Sequence, residues 1–191
     1  MTQHIRCFVA IELPKAIQDQ LSQIQNTLRK QIQRASWVKP GNIHLTLKFL
    51  GDVNPNDIKS VGQAIAQVAS YHSPFSLQFG GVGAFPNPAR PRVIWVGVKV
   101  GGEKVSAFAQ DINGVLSPCG FPPDNKKFNS HLTIARLKEQ VNLRPFASLH
   151  CQYDEIDSAA MTVHEVSLIR SQLHPKGAIY TTLQSCELNA I

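Results

Sequence analysis

Apolar residues recur along this chain in two spacings. Residues 5–11 form a short, mostly apolar stretch that reads as a strand. Pro14 then suits the first turn of a helix, and Ile17, Leu21, Ile24, Leu28 and Ile32 recur at steps of three and four. That stripe predicts an amphipathic helix lying over a sheet. Residues 43–50 alternate polar with aliphatic side chains, a strand that Gly51-Asp52 is expected to terminate. Asn54-Pro55 opens a second helix with Ile58, Val61, Ile65 and Val68 along one face. Strands are expected at 75–79 and 93–100, separated by a loop rich in Gly and Pro in which Gly80-Gly81-Val82-Gly83 reads as a turn. Val105, Phe108, Ile112 and Val115 mark a third helix, ended by Pro118 and Gly120. A polar loop leads to a strand at 131–137, and two more at 163–170 and 178–188 flank the turn Pro175-Lys176-Gly177.

With both long helices placed before residue 70, this order implies an α+β architecture rather than a doubly wound sheet. A weak symmetry runs through it. The opening strand, helix, strand sequence returns over 93–137. Two pseudo-symmetric lobes would result, with a cleft between them, inside one domain spanning 1–191.

Composition narrows the setting. The hydrophobic content of 43% is ordinary for a globular protein. A net charge of +6 favours an anionic partner such as nucleic acid. Cys7, Cys119, Cys151 and Cys186 are scattered without a Cys-x-x-Cys pair, which suggests reduced thiols and neither a zinc site nor a disulfide framework. No signal-peptide pattern and no apolar run of ~20 residues is present, so the expectation is a soluble cytoplasmic protein, with no membrane partner.

The chemistry is concentrated in two tetrapeptides, His44-Leu45-Thr46-Leu47 and His131-Leu132-Thr133-Ile134. On a strand, each sets an imidazole beside a hydroxyl on one face and two aliphatic side chains on the other. Chance placement of seven histidines and seven threonines in 191 residues gives well under one His-x-Thr match, and this chain has two. Brought together, they would form an acid–base site suited to phosphate chemistry. The remaining histidines lack a Thr two residues on and read as structural. No carboxylate pair accompanies the motifs in ligand spacing, so no metal and no cofactor is expected.

These segments resemble the two-histidine (2H) phosphoesterases, in particular the RNA 2′,3′-cyclic phosphodiesterases once called 2′-5′ RNA ligases. The resemblance extends to Arg6-Cys7-Phe8-Val9-Ala10-Ile11-Glu12-Leu13-Pro14, to Trp37-Val38-Lys39-Pro40 before the first motif, to Pro91-Arg92-Val93-Ile94-Trp95-Val96-Gly97-Val98 before the second, and to Leu173-His174-Pro175-Lys176-Gly177-Ala178-Ile179-Tyr180. It implies a bilobal 2H phosphoesterase fold, each lobe an antiparallel sheet with outer helices. The implied reaction opens an RNA terminal 2′,3′-cyclic phosphate to a 2′-phosphomonoester without a metal, with reversible 2′-5′ ligation as the same chemistry run with a 5′-hydroxyl.

The family also implies roles. His44 would be the proton donor and His131 the proton acceptor, an order the sequence itself leaves open. Thr46 and Thr133 would hold the phosphate oxygens. Phe49 and Arg136, each five residues after its histidine, would bind a base and a phosphate; strict alternation sends both to the wrong face, so a bend is required before them. Lys39, Lys48, Arg90, Arg92, Lys126 and Lys127 are candidates for a basic rim along the RNA backbone. A monomer is expected. Two rival readings remain: the same residues acting on 2′-5′ linked oligonucleotides or small nucleotide cyclic phosphates, and a non-catalytic RNA-end binder.

Overall fold

Alternation and helical periodicity translate directly into elements. The computed structural model describes residues 4–32, 34–123, 127–138, 158–175 and 177–189. The order is β1 (Ile5–Glu12), α1 (Lys15–Arg29), β2 (Ala35–Trp37), β3 (His44–Val53), α2 (Ile58–Ala69), β4 (Phe75–Phe85), β5 (Val93–Val100), α3 (Gly102–Leu116), β6 (His131–Leu137), β7 (Met161–Val163), β8 (Glu165–Gln172) and β9 (Ile179–Glu187). Short 3₁₀ turns at Pro40–Asn42 and Pro55–Asp57 lead into β3 and α2.

The apolar stripe of α1 is buried at Ile17, Leu21, Ile24 and Leu28, with Ile32 buried just past the helix end. Burying those four aliphatic side chains in α1 alone contributes of order 6–12 kcal/mol of transfer free energy, far above any helix propensity. In the same way α2 buries Val61, Ile65 and Val68, and α3 buries Val105, Phe108, Ile112 and Leu116. These faces pack on the sheet, α2 against β8 and β9 and α3 against β3.

Every strand pairing is antiparallel, and the strands join in the order β7-β4-β5-β6-β3-β1-β8-β9, with β2 on β6. The fold is thus α+β with two lobes of matching plan. In one, β1 runs through α1 to β3 and the two strands pair; in the other, β5 runs through α3 to β6 and the two strands pair. The lobes meet where β3 and β6, the two histidine strands, pair at Leu45↔Leu132. One continuous sheet therefore links both halves.

Four boundaries differ from expectation. Gly51 takes a positive φ of 70° inside β3 rather than ending it, and pairing with β1 continues to Val53. Gly80–Gly83 is part of strand β4 and not a turn: Gly81, at φ 66°, forms a bulge against β5 and the ladder resumes at Val82. With 15 residues, α3 equals α1 in length, so the long helices are not confined to the region before residue 70. The strand expected from 163 is two, β7 and β8, broken at His164 and pairing at opposite ends of the sheet. The turn lysine Lys176, as well as Lys126, His150 and Cys151, lies outside the described residues.

Candidate active site

Pairing Leu45 with Leu132 sets the geometry of the four motif side chains. In an antiparallel ladder the next residues outward face each other, so His44 stands across from Thr133 and Thr46 across from His131. Leu45 and Leu132 point into the core, fully buried, and the polar four share the opposite face. The two histidines are then diagonal neighbours, a relation that spans about 7–8 Å on an antiparallel pair. Both imidazoles rise from that backbone spacing on the same face of the sheet.

Both strands bend at the same place. In β3, Lys48 pairs with Val9 and Thr46 with Ala10, which leaves Leu47 extra. In β6, Ala135 pairs with Ile94 and Thr133 with Trp95, which leaves Ile134 extra. Each bulge buries two consecutive residues, Leu47-Lys48 and Ile134-Ala135, and so inverts the alternation. Phe49 and Arg136 are thereby returned to the histidine face. This is the bend that their position demanded.

A cavity of about 870 Å³ gathers the site. His44, Thr46, Phe49, His131, Thr133 and Arg136 all line it. The two rings are oriented alike: the Nδ1 of His44 lies 2.9 Å from the Asn42 carbonyl oxygen, and that of His131 lies 2.7 Å from the Asn129 carbonyl oxygen. With the proton on Nδ1 donated to backbone, Nε2 is the nitrogen left for proton exchange. Among the described residues the hydroxyls of Thr46 and Thr133 and the Arg136 guanidinium carry no hydrogen bond or ion pair.

The surroundings of the two rings differ. His44 stacks on Phe8 at 4.6 Å between centroids and meets the edge of Tyr180 at 5.3 Å. Burial there pushes the His44 imidazole below its ordinary 6.5, while the Asn42 carbonyl and the Glu12 carboxylate oppose that push. Around His131 stand Phe85 at 4.9 Å and Trp95 at 6.4 Å, both edge-on. Gly83 is required for this arrangement, since a Cβ there would sit 2.2 Å from the Trp95 ring. Tyr180 is raised by burial and held back by Arg136 and Arg6, so guanidiniums from both lobes bear on its hydroxyl.

Other expectations fared differently. Lys48 is not on the basic rim: it is 2% exposed, and its Nζ donates to Asn113 Oδ1 at 2.5 Å and to the Pro122 carbonyl at 2.9 Å. The bulge that frees Phe49 turns Lys48 inward. Lys39, Arg90, Arg92 and Lys127 are exposed, but none lines the cavity. Sequence reasoning passed over Arg6, Phe8, Asn42, Phe85 and Tyr180, all of which do. A signal for one of them was present: an Asn stands two residues before each motif histidine, at Asn42 and Asn129. Among the described residues no group of three or more His, Cys, Asp or Glu side chains converges.

Known proteins share this plan. The family described as LigT like phosphoesterase matches the chain twice, over residues 11–95 and 96–180. The chain is 34% identical over 180 residues to an RNA 2′,3′-cyclic phosphodiesterase of Methanothermobacter thermautotrophicus, covering 94% of this chain and 97% of that protein. It is 35% identical over 184 residues to one of Archaeoglobus fulgidus, covering 96% and 100%. Among solved structures, a protein of Thermus thermophilus superposes with a TM-score of 0.80 at 26% identity, covering 96% of this chain and 98% of that one.

Proposed function

Because the chain belongs to the LigT-like phosphoesterase family, we propose that it opens RNA terminal 2′,3′-cyclic phosphates to 2′-phosphomonoesters, using its two cleft histidines and no metal. One observation carries this reading: two imidazoles, each fixed through Nδ1 to a backbone carbonyl and each beside a threonine hydroxyl that has no hydrogen bond among the described residues, line a single cavity. A mere RNA-end binder has no use for two proton-transfer groups.

In this mechanism Nε2 of His131 takes a proton from water as the water oxygen bonds to phosphorus. Nε2 of His44 gives a proton to O3′ as the P–O3′ bond breaks. Thr46 and Thr133 donate to the non-bridging oxygens, whose negative charge grows in the transition state, and Arg136 neutralises it further. Phe49, 61% exposed at the cavity wall, offers a face for the terminal base. With a 5′-hydroxyl in place of water the same groups join two ends. The continuous sheet supports treating residues 1–191 as one two-lobed domain, and we take it as a cytoplasmic monomer.

The test is incubation with an oligoribonucleotide ending in a 2′,3′-cyclic phosphate. A 2′-phosphomonoester formed at an undiminished rate in EDTA is expected. A 3′-phosphomonoester would reverse the leaving group, and loss of rate with chelator would point to a metal.

A further inference from the structure

The catalytic cavity does not end at the histidines. A second cavity of about 470 Å³ adjoins it, lined by His4, Ile5, Arg6, Asp52 and residues 170–173 of β8 and the turn after it. Arg6, Ser171 and Leu173 line both spaces, so they form the passage between them. Arg6 lies on the same face of β1 as Phe8, the residue beneath His44, and two residues along a strand span about 7 Å. Its side chain is exposed and has no ion pair or hydrogen bond among the described residues. Asp52, its cross-strand neighbour in the β1–β3 ladder, is the one carboxylate among the described residues lining the second cavity, and it is not ion-paired to Arg6.

We propose that Arg6 and this second cavity form a subsite for the next phosphodiester of an RNA strand whose cyclic end occupies the histidine cleft. The chain would therefore be built for polynucleotide ends over mononucleotides. A guanidinium at the passage offers two parallel N–H donors to phosphate oxygens. Asp52 restrains the site to a passing monoanionic diester, since a dianionic terminal monophosphate meets stronger repulsion. The proposal rests on the cyclic phosphodiesterase reading and refines its substrate.

The experiment compares a nucleoside 2′,3′-cyclic monophosphate, which has no second phosphate, with a short oligoribonucleotide bearing the same cyclic end. Wild type and Arg6→Gln are assayed on both, across a range of salt. The expected result is that the ratio of oligonucleotide KM to mononucleotide KM rises about tenfold in Arg6→Gln, the scale of one charge-assisted hydrogen bond. The salt slope of the oligonucleotide KM should fall by about 0.7, one phosphate contact on a single strand. A ratio and slope that do not move overturn the subsite while the activity stands. Absence of wild-type turnover on both substrates overturns the activity itself.

Discussion

The strands that carry His44 and His131 follow one plan and occupy two environments. Each has an Asn two residues ahead whose carbonyl holds Nδ1, a Thr two residues behind, and a bulge at the fourth motif position that restores Phe49 or Arg136 to the cleft. Shared geometry of this kind is set by the backbone ladder. What differs is the packing laid against it: an aromatic stack and partial burial for His44, an open edge-on pair for His131. A duplicated scaffold thus supplies two equivalent imidazole positions, and side chains outside the motifs distinguish them.

The largest effect should be common to both halves. His44→Ala and His131→Ala are each expected to lower kcat by about 10³-fold or more while thermal unfolding stays close to wild type. Both rings border the cleft, so neither is a core plug whose loss unfolds the sheet. Near-normal turnover by one variant would mean that the resemblance between halves is structural only and that a single histidine does the work.

A second comparison concerns how the bulges are braced. Each half's helix serves the other half's strand. Gln25 of α1, itself buried, donates to the Ile134 carbonyl at the β6 bulge (2.9 Å) and to the Val38 carbonyl (2.8 Å). Lys48, at the β3 bulge, reaches Asn113 of α3. Gln25→Leu is therefore expected to cost about 1–2 kcal/mol in denaturant unfolding. It should also weaken substrate binding through Arg136. Lys48→Met should cost a similar amount and act through Phe49. If either variant raised KM with no loss of stability, the bracing argument would fail for that half.

Much of this was legible in the chain. The paired His-x-Thr motifs, the burial of Leu45 and Leu132, and the strand–helix–strand repeat follow from period-two and period-three-to-four spacing, which is local. The need for a bend before Phe49 and Arg136 was legible too, because alternation forbade their role without one. The aromatic packing was not. Phe8 sits in a run of apolar residues indistinguishable from core, and only the register of β1 with β3 and β8 turns it toward the cleft. Lys48 looked like a surface cation because a lysine on a strand usually is; the bulge that buries it depends on pairing with Val9 and Ala10. The glycine-rich stretch read as a turn since glycine marks turns and bulges alike.

The smallest expected effect is the one that separates the two histidines. Burial, to which the stacked Phe8 ring contributes, depresses His44 in the free protein below its ordinary 6.5. As the general acid, His44 must hold its proton, so a depressed pKa lowers the productively protonated fraction of the free protein. In the complex the substrate's phosphoryl charge lies beside the ring and favours the imidazolium, so the alkaline limb of kcat should lie at higher pH than that of kcat/KM. Phe8→Leu removes the stacked ring and lets water reach the imidazole. The desolvation that holds the pKa down is relieved, and the limb of the kcat/KM profile that His44 sets should move upward while the other stays in place. A pH–rate profile of Phe8→Leu therefore shows which limb belongs to His44, and a profile with neither limb moved would break the comparison between the two rings.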